Sequence, residues 1–203
     1  MDEAVRLFVD MVAIGLQPDV VTYGTLLNGY CKTGRIDDAL ALFREMLRKD
    51  VKPGAVTCNI MVQGLFRAGR TAAAKELYQG MINNGMQLEI DTYNIILGGL
   101  CKFRCIDEAL GIFHGLLSNN FGVHVRTFNI MLNGLLKGGR KDEAKNLFSA
   151  MSGKDLVPNK VTYSLMIESH IKERLSQEAE DLFLSMELQF RLPFAKSYSS
   201  KVT

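Results

Sequence analysis

Five cations stand at one spacing: Lys32, Arg67, Lys102, Lys137 and Lys172, each 35 residues after the last. One positive charge per structural unit makes a ladder suited to a row of phosphates. The same residues also suit solvated helix C-termini, where a cation complements the dipole by about 0.3–1 kcal/mol. The two roles are compatible. No other set of residues is spaced for catalysis. His114 aligns with Arg44 and Gln79 on the outward face of a helix. His170 takes the place of Tyr30 and Leu65, which reads as a partly buried variant rather than a general base. Cys101 and Cys105 have i, i+4 spacing, but Cys101 aligns with Cys31, Phe66 and Leu136, an apolar packing position. No third or fourth ligand accompanies them, so no metal is expected. The chain carries no P-loop and no nucleophile elbow. The expectation is a protein without catalysis or cofactor.

The ladder is one row of a longer register. Tyr23 is followed by Cys58, Tyr93, Phe128, Tyr163 and Tyr198 at the same step, and Phe8 by Phe43, Tyr78, Phe113, Phe148 and Phe183. Thr22, Thr57, Thr92, Thr127 and Thr162 recur likewise, as do Ala39, Ala74, Ala109, Ala144 and Ala179. A fixed period of this size signals a solenoid. Within each unit the period is helical. Tyr23, Leu26, Leu27 and Tyr30 fall at i, i+3, i+4 and i+7, and Ala39, Leu42, Phe43 and Met46 repeat the pattern. Gly34, Gly69 and Gly139 mark the turn between the two helices, where a left-handed residue is favoured. Asp37 and Asp38 open the second helix, where negative charge suits the dipole. Pro18, Pro53, Pro158 and Pro193 are expected to close their repeats. Gly29, Gly64, Gly99 and Gly134 fall mid-helix at a cost of about 1 kcal/mol each, which suggests a close approach of helices. No unit can bury its apolar face alone, so neighbours must stack.

Composition agrees with this reading and adds little to it. Hydrophobic residues make up 47% of the 203, and the net charge is +2. No apolar run reaches the length of roughly 18 residues read as a membrane span. Four irregularly spaced cysteines make no disulfide framework, which favours a reducing compartment. Met1-Asp2-Glu3-Ala4 aligns with Ile36-Asp37-Asp38-Ala39, so the sequence is expected to start inside a repeat, with either no targeting or a leader lost from a longer chain. The expectation is a fragment of a longer array.

The stretch VVTYGTLLNGYCKTGRIDDALALFREMLRKDVKPG, residues 20–54, resembles a pentatricopeptide repeat of the plain 35-residue (P) type. The resemblance covers full repeats at 20–54, 55–89, 90–124, 125–159 and 160–194. A partial repeat, its second helix only, lies at 1–19, and residues 195–203 are a truncated repeat start or disordered tail. TFNIMLNGLLKGGRKDEAKNLFSAM, followed by VTYSLMIESHIKERLSQEAEDLFLSME, is similar to the C-terminal part of plant restorer-of-fertility-like proteins. The competing tetratricopeptide repeat has a period of about 34 residues and a Trp in its first helix; this chain has no Trp. The resemblance implies an all-α fold, a right-handed superhelical solenoid of helix-turn-helix repeats. It also implies binding of single-stranded RNA, one base per repeat, which is a named example of that mode of recognition.

In the family, bases are read by the residue after the aromatic of the first helix together with the residue that closes the repeat. The resemblance therefore pairs Gly24 with Gly54, Asn59 with Glu89, Asn94 with His124, Asn129 with Asn159, and Ser164 with Phe194. Asn offers a donor and an acceptor to a Watson–Crick edge. The family code points Asn129 with Asn159 to cytosine, then uracil. Asn59 and Asn94 lean to a pyrimidine and Ser164 to a purine. Glu89, His124 and Phe194 depart from the pattern, and Gly24 with Gly54 has no side chain to read with. Helix capping is the alternative role for such residues. The base-sandwiching position of the family falls on Val21, Val56, Asp91, Arg126 and Val161. Asp91 departs from it, whereas Arg126 can stack its guanidinium on a base. Deaminase signatures carried by some relatives, H-x-E and C-x-x-C, are absent from this sequence.

The implied function is recognition of organellar transcripts, mitochondrial first and chloroplast second, in RNA processing, stability or translation. Processing or translation factors are further partners, and no membrane partner is expected. The alternatives are a protein-binding helical-repeat scaffold, or a truncated fragment with little RNA affinity.

Overall fold

Each 35-residue unit folds as a pair of helices because its apolar residues line one face of each helix and a left-handed residue separates the two. The computed structural model describes residues 1–119, 121–153, 156–172 and 176–199, with the backbone alone at 152, 176 and 191–199. Among the described residues all regular structure is helical. The helices are α1 (Asp2–Ala13), α2 (Val20–Lys32), α3 (Ile36–Arg48), α4 (Ala55–Arg67), α5 (Thr71–Asn83) and α6 (Ile90–Lys102). They continue with α7 (Ile106–Ser118), α8 (Val125–Lys137), α9 (Lys141–Ser152), α10 (Lys160–Lys172) and α11 (Ser176–Ser199). The turn glycines Gly34, Gly69 and Gly139 have φ of 77, 77 and 79°, and Arg104 takes the same place at φ 61°. A side chain there costs about 1–2 kcal/mol relative to the right-handed form. No helix among the described residues is long and apolar enough to cross a membrane.

The chain divides into two compact units, residues 1–113 and 114–203. In the first, α2 packs on α4 and α4 on α6, while α3 and α5 each brace their own first helix and the next one. Leu27, Val62 and Leu97, one per repeat, are completely buried along this seam. The mid-helix glycines make the seam possible. A Cβ on Gly64 would lie 2.3 Å from Cys31 Sγ, and one on Gly99 would lie 2.3–2.5 Å from the Phe66 ring. Each glycine thus receives a side chain from the first helix of the preceding repeat.

The aromatic register becomes a joint between repeats. Phe8 meets Tyr23 edge-on at 5.4 Å, and Tyr78 meets Tyr93 at 6.4 Å. Such pairs add about 0.5–1.5 kcal/mol beyond their burial. Burial also pushes the thiols of Cys58 and Cys101 up to about 11 and the Tyr78 hydroxyl to about 12. Protonated and shielded thiols are packing groups, not nucleophiles. Second helices are linked on their outer side by Arg35–Asp2 at 3.4 Å, Arg70–Asp37 at 2.8 Å, and Lys75–Glu108. Exposed pairs of this kind contribute about 0–1 kcal/mol each.

In the second unit α8 packs on α9 and α10, and α10 on α11. Phe128, Met131, Leu132 and Leu135 are completely buried. Phe148 meets Tyr163 edge-on at 5.8 Å, which repeats the joint of the first unit. One expectation does not hold here: Pro193 does not close its repeat, because α11 runs through it to Ser199. The reason lies three residues earlier. Gly15, Asp50 and Gly85 end their second helices with φ of 84, 58 and 66°. The corresponding residue is Phe190, whose bulk disfavours the left-handed backbone. It stays helical and packs on Tyr163 at 6.5 Å.

Candidate functional site

Asn129 and Asn159 lie 30 residues apart in sequence and meet in space. Asn129 Nδ2 donates to Asn159 Oδ1 at 3.2 Å. Asn159 ends the linker and caps α10, its Oδ1 accepting from the Thr162 amide at 3.0 Å. That is the reason an Asn can sit here, since the first amides of a helix need an acceptor. Thr162 closes the circuit: its Oγ1 accepts from the Asn159 amide at 3.1 Å and donates to Asn129 Oδ1 at 2.8 Å. The circuit fixes which end of each amide faces which way. Both protons of Asn159 Nδ2 and one of Asn129 Nδ2 remain for another molecule. One side chain thus caps α10 and still presents amide donors outward.

The other repeats make the same arrangement only in part. Asp19, at the closing position, caps α2 by accepting from Thr22 N at 2.8 Å and Thr22 Oγ1 at 2.6 Å. Those bonds, the hydroxyl first, hold its carboxyl below the usual range. Glu89 makes no side-chain cap, and Thr92 N turns instead to the Glu89 carbonyl at 3.0 Å. Its methylene-longer side chain overshoots the cap geometry that Asn and Asp reach. Asn59 Oδ1 and Thr92 Oγ1 are then buried without a partner. Asn94 is 6% exposed and its Oδ1 is unpartnered as well. His124 starts α8 without a side-chain cap, and Thr127 N bonds its carbonyl at 2.9 Å. Thr127 Oγ1 is buried without a partner. A Cβ built on Gly24 would lie 3.7 Å from Thr57 Oγ1, so this silent repeat keeps the same neighbourhood. Gly54 caps α4 with backbone only. Ser164 is exposed on α10, and the side chain of Phe194 lies outside the described residues.

Replacing Glu89 by Asn should therefore stabilise the chain by about 1 kcal/mol through the missing cap. A thermal melt of Glu89→Asn against the parent checks it; an unchanged midpoint contradicts the reading.

Val21, Val56 and Val161 are 68, 74 and 55% exposed. They stand open to solvent and are not packed between repeats. Asp91 and Arg126 are exposed at the same position. Lys32, Arg67, Lys102, Lys137 and Lys172 all occupy the last turn of a first helix and are exposed. Among the described residues none of the five forms an ion pair, in contrast to Arg35 and Arg70, which hold the N-cap positions of α3 and α5. In the second unit, Lys137 and Lys172 line a depression of about 120 Å³ with Asn133 and Ser169, beside Glu168. From Asn129 to Lys137 is about 12 Å along the helix. The first helices α4, α6 and α8 thus carry an Asn near the start, and all five first helices carry a cation at the end.

His114 is exposed, and His170 is buried with Nδ1 2.7 Å from the Met166 carbonyl. Among the described residues no cluster could hold a metal ion. The threonine row is what sequence reasoning missed. Thr57, Thr92, Thr127 and Thr162 are 0–4% exposed, and a buried hydroxyl needs a partner. Their recurrence at a fixed step was the available signal.

Stacked two-helix hairpins, with one cation at the end of each first helix, define a helical-repeat protein. The sequence comparisons give the family. The PPR repeat family matches residues 1–32, 18–67, 53–102 and 123–172, and a PPR repeat matches 91–121 and 161–188. The chain belongs to the pentatricopeptide repeat family. Among solved structures it is similar to the pentatricopeptide repeat protein PPR10 from maize, with TM-score 0.76 and 21% identity over 89% of this chain and 26% of that one. It is also similar to PPR10 in complex with an 18-nt psaJ RNA element, at TM-score 0.74 and 22% identity, covering 91% and 27%. The PPR domain of Arabidopsis thaliana protein-only RNase P 1, in complex with tRNA, matches at TM-score 0.66 and 14% identity, covering 82% and 88%. These likenesses show the fold. The chain spans about a quarter of the length of PPR10. The comparison with curated proteins found no match.

Proposed function

We propose that the chain binds single-stranded RNA, reads one base per repeat, and acts in organellar RNA processing, stability or translation, with no catalysis of its own. The observation that carries this is the Asn129–Asn159 pair, joined at 3.2 Å with amide protons left over. Val161, 55% exposed, offers the face on which a base would lie. Lys137 and Lys172 supply cations at the far ends of the same two helices. The RNA named in the PPR10 and RNase P structures supports the same class of ligand. The mitochondrial setting and the likeness to plain-type restorer-of-fertility-like proteins belong to this proposal too.

The free donors favour cytosine. Its N3 and O2 are adjacent acceptors, whereas uracil presents a donor at N3. Changing Asn159 to Asp keeps the cap but replaces two donors with an acceptor, so preference should move from cytosine towards uracil. Selection from a fully randomised pool of short single-stranded RNAs, for parent and Asn159→Asp, measures this directly. The parent should bind such RNA and leave a duplex of the same sequence unbound, because base edges must be free. Equal affinity for the duplex overturns the proposal.

A further inference from the structure

We propose that Thr162 is a positioning residue for base recognition: its hydroxyl sets the orientation of the Asn129 amide and thereby the preference of repeat 125–159 for cytosine over uracil. The inference deepens the RNA-reading function and rests on it. Thr162 is completely buried and belongs to the following repeat, so it has no surface of its own to offer a base. Its Oγ1 nevertheless lies 2.8 Å from Asn129 Oδ1 and 3.0 Å from Asn159 Oδ1. The hydroxyl has a single proton, and the nearer acceptor is Asn129. Turning the Asn129 amide over would set its oxygen against Asn159 Oδ1, an oxygen already held by the Thr162 amide at 3.0 Å. Its nitrogen would then face a hydroxyl that accepts from the Asn159 amide. Two bonds therefore resist the turn, and Thr162 makes one of them and anchors the other. Asn129 is left offering a donor outward, which a base with an acceptor at N3 can use.

The first unit shows what happens without the closing amide. Where Glu89 replaces Asn, both Thr92 Oγ1 and Asn59 Oδ1 are buried without partners. The threonine alone does not complete the circuit; it needs a closing side chain that caps. Repeats closed by Asn should therefore discriminate more sharply than repeat 55–89, although both present Asn as the reader.

The test compares Thr162→Val, which keeps shape and loses the hydroxyl, with Thr162→Ser, which restores it. Both are read by randomised-pool selection at the RNA position that responds to Asn159→Asp. The cytosine-to-uracil ratio should fall about fivefold in Thr162→Val, the worth of one hydrogen bond, and return in Thr162→Ser. Helical content by circular dichroism should stay at the parent level. A parental ratio in a folded Thr162→Val overturns the proposal. Should the parent enrich no RNA, the functional reading itself fails, and the side-chain amide protons of Asn129 decide the positioning role by NMR. They should exchange faster in Thr162→Val only; equal protection in both proteins overturns it. If Thr162→Val does not fold, Glu89→Asn carries the test in the other unit. It should raise the ratio about fivefold at the base read by repeat 55–89, and no rise overturns the proposal.

Discussion

Gly99→Val should lower stability by about 3 kcal/mol, among the larger losses expected from a single added side chain. The residue is in the middle of α6, where glycine is the poorest choice apart from proline for helix formation. Any larger residue would improve the helix considered alone. The seam reverses that sign. A Cβ there meets three atoms of the Phe66 ring at 2.3–2.5 Å. Phe66 is 4% exposed and stacks on Phe103 at 6.3 Å, so its ring has little room to recoil. Valine adds two methyls to the overlap and gains no helix propensity over other branched residues. Gly111 in α7 is the control, because a Cβ there meets nothing within 4 Å. Gly111→Ala should gain about 1 kcal/mol from helix propensity alone. Thermal melts of the two variants should move in opposite directions. Truncating Phe66 to Ala in the Gly99→Val background should recover part of the loss, since the two changes share one space. If Gly99→Val melts with the parent, the glycine row has another cause.

The repeat step made most of the fold readable, because identical units must solve one packing problem repeatedly. Three pairs from the aromatic register, Phe8–Tyr23, Tyr78–Tyr93 and Phe148–Tyr163, became joints at 5.4–6.4 Å. Tyr23 and Phe128 are buried as their periodicity requires. The cation row could be placed at helix ends from spacing alone. Two things could not be read this way. The first is whether a local signal wins over its neighbours. Pro193 carries the stop signal, but Phe190 lacks the left-handed freedom that Gly15, Asp50 and Gly85 use. The second is the role of polar residues that act on one another. Thr162 is one of a row of threonines at a fixed step, and its partner Asn129 lies 33 residues earlier in sequence. Only coordinates bring the two within 2.8 Å. Reading pairs could be listed from the family pattern, but which of them couple depends on the cap. Asn159 reaches the first amides of α10, whereas Glu89 and His124 leave theirs to backbone carbonyls.

Replacing Lys32, Arg67, Lys102, Lys137 and Lys172 together by alanine should remove most of the RNA affinity and nearly all of its salt dependence. Each phosphate neutralised on a single strand contributes about 0.7 to the slope of log affinity against log salt. Five contacts give a parental slope of roughly 3.5, so affinity should fall about a hundredfold between about 50 and 200 mM salt. In the fivefold variant it should stay nearly constant over that range. The fold should survive, because all five side chains are exposed and among the described residues none is in an ion pair. The loss at helix C-termini is limited to about 0.3–1 kcal/mol per cation. Lys137→Ala alone should reduce the slope by about 0.7 and weaken all sequences alike. Asn159→Asp should do the reverse, shifting cytosine towards uracil while the slope holds, because no phosphate contact is touched. Fluorescence anisotropy across a salt series separates the two behaviours. A fivefold variant that keeps the parental slope would mean that phosphates run elsewhere, with Arg35, Arg70 and Arg140 the next cations to replace. Those three are engaged with Asp2, Asp38, Asp37 and Glu143 at 2.5–3.4 Å. An RNA strand would have to displace these carboxylates to reach them, which is why the unpaired row on the first helices is the one expected to carry the charge.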